Sequence, residues 1–123
     1  MTIRKYTTGT VTMTAVTDTQ TISNVTGRIK SIAINPSGTS TNFKITCAKA
    51  GIVETILGAT PLAVAAVGTV IAPQKLAVDV DGGALTATSN TYVDYIVINQ
   101  DITIAVTNGA NAETYVVDII VDE

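Results

Sequence analysis

Apolar and polar residues alternate along this chain from end to end, and that period of two constrains it more than any other feature. A strand places successive side chains on opposite faces, so a two-residue repeat describes a β-strand with one face buried. Near the start Val11, Met13 and Ala15 alternate with Thr10, Thr12 and Thr14. Ile29, Ile32 and Ile34 follow Gly27, and that run stops at Asn35-Pro36-Ser37-Gly38, a strong turn signal. Phe43, Ile45 and Cys47 alternate with Lys44 and Thr46, and Ile52–Leu57 is a further short run. Ala77-Val78-Asp79-Val80 leads into Asp81-Gly82-Gly83, read as a turn. Tyr92, Asp94, Ile96 and Ile98 share one face of a strand, with Val93, Tyr95 and Val97 on the other. Ile102, Ile104 and Val106 are followed by Asn108-Gly109-Ala110-Asn111 and then by Tyr115, Val117, Ile119 and Val121. Two alternating runs joined through Asn-Gly predict a β-hairpin.

Eight to nine short strands at this spacing predict an all-β fold, an antiparallel two-sheet β-sandwich of jelly-roll-like type. Composition agrees. Val, Ile and Thr dominate, and β-branched side chains suit a pleated surface better than a helix. At 46% hydrophobic and 14% charged, the chain is not of the disordered class. Its 123 residues suffice for one domain, 1–123, with residues 1–8 expected as an N-terminal arm.

The same residues point away from catalysis, and the chain is read as a non-enzyme without cofactors. There is no His, so Ser-His-Asp and Cys-His arrangements cannot be built, and the commonest metal ligand is missing. The single Cys47 lies on an apolar strand face and reads as a small core residue rather than a nucleophile. Asp79 and Asp81 share a strand face before Gly82, a faint likeness to a calcium loop that lacks the third oxygen ligand and the closing Glu. No phosphate-cradling loop, zinc spacing or dinucleotide fingerprint occurs. The net charge of −3 argues against nucleic acid as a partner, and the first residues lack the apolar run of a signal peptide.

Charge is unevenly distributed. Residues 1–49 carry six bases and one acid, residues 50–123 one base and nine acids. The molecule is polar end to end if the fold separates these halves, and mixed if the strands interleave. Thr55–Gln74 carries no charge at all. Its length approaches that of a membrane span, but Gly58, Pro61, Gly68 and Pro73 interrupt it, so no membrane segment is expected. Burial of its aliphatic residues does not by itself offset the entropy of ordering it, so its backbone must pair within the domain or with a partner.

Gly27-Arg28-Ile29-Lys30-Ser31-Ile32-Ala33-Ile34-Asn35 resembles a strand of the small Thr-rich β-sandwich structural proteins of tailed bacteriophages. The stretch from Asp101 to Ala112, closing in Asp118-Ile119-Ile120-Val121, is similar to the final strands of the same group. The resemblance spans roughly residues 20–121 and its motifs are loose. It implies a virion component, a head-decoration or auxiliary capsid protein that is made in the host cytoplasm and binds the major capsid protein lattice on the capsid surface. It also implies a homo-oligomer, a trimer, and offers no catalytic residue. On this reading Arg4, Lys5 and Tyr6 reach the capsid, and Leu62, Val64, Val67, Val70 and Ile71 form a buried contact. The alternative from another class is a non-viral surface or filament-forming β module of adhesin or pilin type, which strand-donated filaments would reveal.

Overall fold

The computed structural model describes residues 2–38, 40–49, 51–64, 68–76 and 92–123, without the side chains of residues 49, 59–61, 76 and 92. Among them are ten strands and no helix: β1 (Ile3–Thr7), β2 (Val11–Thr12), β3 (Asp18–Pro36), β4 (Asn42–Lys49), β5 (Ile52–Ala63), β6 (Thr69–Ile71), β7 (Gln74–Leu76), β8 (Tyr92–Asp94), β9 (Ile96–Thr107) and β10 (Thr114–Asp122). Every pairing is antiparallel. The main sheet runs β1-β10-β3-β9-β4-β5, with β2 on β10 and β6 on β3, while β7 and β8 pair separately. The Asp79–Gly83 turn lies outside the described residues.

The 19-residue strand β3 explains how one hydrogen-bonded network becomes a sandwich. Its first half pairs with β9, from Asp18↔Val106 to Arg28↔Ile96. Its second half pairs with β10, from Arg28↔Asp122 to Pro36↔Tyr115. Straight, β3 would be about 60 Å long. Its two ends, however, are paired to Val106 and Tyr115, which the intervening chain holds within about 30 Å. The strand must therefore bend. It does so where its register on β9 slips, between Ile22 and Gly27, with Asn24 at φ 57° and Gly27 at φ 139°. A side chain at Gly27 would also meet the Asp122 carbonyl and Val121 Cβ at 3.1 Å.

Beyond the bend a bulge at Lys30 pairs Ser31 with Ile120 and Ile29 with Val121. The extra residue lets Ile29 and Ile32, three apart, both point inward. The two layers then close on a core that includes Phe43, Ile45, Ile102, Ile104, Tyr115, Val117 and Ile119. In a flat sheet β4 and β10 would lie three strand spacings apart, about 14 Å. The Phe43 and Tyr115 rings instead meet edge to face, centroids 5.5 Å apart. The alternation thus builds the antiparallel β-sandwich it predicts.

Two expectations are corrected. β9 and β10 do not form a hairpin, because β3 lies between them in the sheet order. An Asn-Gly hairpin turn needs positive φ at both residues. Asn108 has φ 56°, but Gly109 is not in the left-handed region, and the next such residue is Ala112 at φ 71°. Residues 108–113 arch from one layer to the other instead. The Gly109 N–H donates to the Val16 carbonyl at 2.9 Å and the Ala112 N–H to the Met13 carbonyl at 2.8 Å. Of the expected arm, residues 2–8 are likewise not free. Ile3–Thr7 pairs with β10 over five positions, and Thr2 exchanges backbone hydrogen bonds with Glu123.

Candidate attachment surfaces

Much of the polar chemistry the structure describes holds strands together. The Tyr115 hydroxyl donates to Asp18 Oδ2 at 2.5 Å, and burial, then the Asp18 hydrogen bond and charge, push its pKa far up. The buried Thr41 hydroxyl donates to Glu113 Oε2 at 3.0 Å. The Tyr95 hydroxyl donates to the Thr55 carbonyl at 3.1 Å, which occupies an acceptor on β5, the edge of the main sheet. Cys47 is buried in the core, and burial followed by the Glu54 charge pushes its thiol pKa up, which disfavours the nucleophilic thiolate. Gln74 and then Lys30, by hydrogen bonding, hold the Asp94 carboxyl below its usual range. Among the described residues no three metal-ligating side chains cluster.

Among the described residues charge does not split into two poles. Arg4 pairs with Glu123 at 3.3 Å and Lys30 with Asp94 at 3.0 Å, so bases of the first half meet acids of the second. β1 and β3, which carry most of the early bases, flank the acid-bearing β10.

What remains for contact is the outside of the sandwich, and its two outer faces differ. Over β3, β9, β4 and β5 the register sets Thr21, Thr103, Thr46 and Thr55 side by side in one row across four strands. The adjacent row holds Thr19, Ala105 and Lys44. Apart from Lys44, these two rows are short-chained, and they are hydroxyl-rich.

The other face, over β1, β10, β3 and the start of β9, carries the row Ile3, Asp122, Arg28 and Ile96. Ile3 is 61% exposed and Ile96 and Ile98 are each 60% exposed. Val70, opposite the outward Ala33, is 71% exposed. Along β10 the outward positions are Thr114, Val116, Asp118, Ile120 and Asp122, all half-buried, so aliphatic Val116 and Ile120 alternate there with polar residues. A concavity of about 550 Å³ is lined by Thr26, Arg28, Ile96, Ile98, Asp122 and Glu123. A second, of about 340 Å³, adjoins it through Arg28 and Ile96 and reaches Val93 and Gln74. A smaller aliphatic site is the β4–β5 tip, where Ile52 and Val53 are 75% and 63% exposed.

The residues expected as an interface do not come together. Arg4 stacks on the Tyr6 ring at 4.8 Å, and Tyr6 packs on the core. Lys5 is exposed on the aliphatic face beside Ile120. Val64 is 2% exposed and fills the core, so it cannot join the expected contact without opening the sandwich, and the half-buried Leu62 and Ile71 pack against that core. Val67 lies outside the described residues. Among the described aliphatic residues of that set, Val70 alone is exposed. The exposed Ile3, Ile96 and Ile98 lie outside the expected set, and their signal in the sequence is aliphatic side chains on both faces of one run, as in Ile96-Val97-Ile98.

No protein-family model, curated protein or solved structure matches this chain.

Proposed function

We propose that this protein is a structural component of a phage virion, an auxiliary or decoration protein that binds and stabilises the capsid lattice. The observation that carries the reading is the division of labour among its side chains. Polar groups tie distant strands together, as in Asp18–Tyr115, Thr41–Glu113 and Arg4–Glu123, while large aliphatic residues stand exposed on one outer face and at one hairpin tip. Exposed aliphatic surface of this kind marks a place where another molecule sits. Contact with a repeating lattice needs such a surface on a rigid body and needs no reactive group. The resemblance of residues 27–35 and 101–121 to phage structural sandwiches supplies the particular partner.

Ile52 and Val53, projecting at the β4–β5 tip, are the residues assigned to the lattice. The Tyr95 hydroxyl on the Thr55 carbonyl weighs against strand donation at the β5 edge. The test is co-sedimentation of the purified protein with expanded phage heads that lack it. Saturable binding is expected, and its absence removes the proposal.

A further inference from the structure

We infer that the aliphatic outer face is a self-association surface, where a second copy of this chain sits across a two-fold axis running along the strands between β10 and β3. The inference accepts the reading of this face as an attachment surface and names its occupant.

The argument lies in the order of the row. Across four neighbouring strands it reads aliphatic, acid, base, aliphatic: Ile3, Asp122, Arg28, Ile96. Two sheets that meet face to face through the same patch must be related by a two-fold axis lying in the plane of contact. An axis along the strands, midway between β10 and β3, reverses the row. Asp122 then faces Arg28 of the second copy, Arg28 faces its Asp122, and each Ile3 faces an Ile96. An in-plane axis across the strands would instead set Asp122 against Asp122 and Arg28 against Arg28. The row therefore selects one of the two arrangements by charge.

Three further observations fit a copy of the same chain. Among the described residues neither Arg28 nor Asp122 makes an ion pair, whereas the neighbouring Asp94 and Glu123 are held by Lys30 and Arg4. The aliphatic side chains at the row's ends are 61% and 60% exposed, so the pair of charges is bracketed by surface that gains from leaving water. Four strands, each about 4.8 Å wide, by the nine residues of β10 cover roughly 19 by 30 Å, a planar footprint of about 570 Å² against the roughly 800 Å² per partner of a standard interface. A three-fold assembly, as the phage resemblance implies, joins two different patches and makes no use of a row complementary to itself.

The experiment is a charge exchange read by light scattering over a dilution series, with the β circular-dichroism spectrum as the check on folding. The natural chain should run at twice its 12.7 kDa mass. Arg28→Asp and Asp122→Arg should each raise the dimer dissociation constant at least about ten-fold by facing like charges. The Arg28→Asp/Asp122→Arg double variant, whose row is again self-complementary, should return toward the natural value. Ile96→Thr should also weaken the dimer with both charges in place. A monomer or trimer in the natural chain, or single variants that dimerise unchanged, overturns the inference. So does a folded double variant that stays monomeric. Head binding by monomeric Arg28→Asp separates the two readings, because lattice attachment can then stand while self-association falls.

Discussion

The two outer faces of this sandwich are made by the same strand. The first half of β3 contributes Thr19 and Thr21 to a hydroxyl-rich face, and its second half runs beneath Arg28, Ser31 and Ala33 on a face bounded by Ile3, Ile96 and Val70. Local propensity does not separate these faces, since Thr, Val and Ile are all good strand formers. What separates them is what the outward side chain does in water. A threonine row is content when hydrated, while an isoleucine at 60% exposure leaves apolar area wet. The strand pattern thus specifies a fold, and the choice between β-branched residues specifies which side of that fold leaves apolar area in water.

The sharpest way to break the comparison is on β10, where neighbouring residues look inward and outward. Ile119→Ala empties a fully buried site and should cost about 2–5 kcal/mol in urea unfolding. Ile120→Ala, on the half-buried outer side, should cost under about 1.5 kcal/mol when both are measured as dilute monomer. Equal costs would mean that the two sides of β10 are equally enclosed. Next in size is Tyr115→Phe. It removes the hydroxyl that satisfies Asp18 across the sandwich and should cost about 1.5–3 kcal/mol.

The pH dependence follows from the same interior. Tyr115, Tyr95 and Cys47 all have pKa values raised chiefly by burial. Above their ordinary values of 9.0 for Cys and 10.0 for Tyr, the unfolded chain loses protons that the folded chain retains. Stability should therefore be flat through neutral pH and fall from about pH 9 upward. Thermal melts across that range check it.

Smaller still are the exchanges between faces. Ile96→Thr and Thr103→Val should each alter stability by no more than about 0.5 kcal/mol, yet only the first should change the solution mass. The least effect is expected at Lys30–Asp94. Because the Asp94 pKa is lowered in the fold, its contribution is present above the ordinary value of 3.8 and lost as pH falls through the folded value. Asp94→Asn should thus shift the unfolding midpoint slightly at neutral pH and not at all in strong acid.

Much of this fold is legible as alternation. Phe43, Ile45 and Cys47, and Tyr115, Val117, Ile119 and Val121, point inward as their spacing requires. The run 102–106 does the same. The neighbours of these strands were not legible. Asn108-Gly109 has the chemistry of a tight hairpin, but tertiary hydrogen bonds to Val16 and Met13 hold that loop as an arch and leave Gly109 out of the left-handed region. The long reach of β3 was hidden for a related reason. Its bend at Asn24 and Gly27 and its bulge at Lys30 shift the parity of the pattern, so the eye stops where the strand continues. The row Ile3, Asp122, Arg28 and Ile96 was not legible because these residues are scattered over the chain and become neighbours only through register.

The most direct measurement is oxidative cross-linking of an Ile3→Cys/Ile96→Cys double variant, with Cys47 silent in the core. Within one chain these positions lie three strand spacings apart, about 14 Å, beyond the reach of a disulfide. Across the two-fold axis they face each other. A covalent dimer under mild oxidation is the expected result, with none from a Thr21→Cys/Thr55→Cys control on the hydroxyl-rich face. Monomer alone, or equal cross-linking from both faces, would contradict the account.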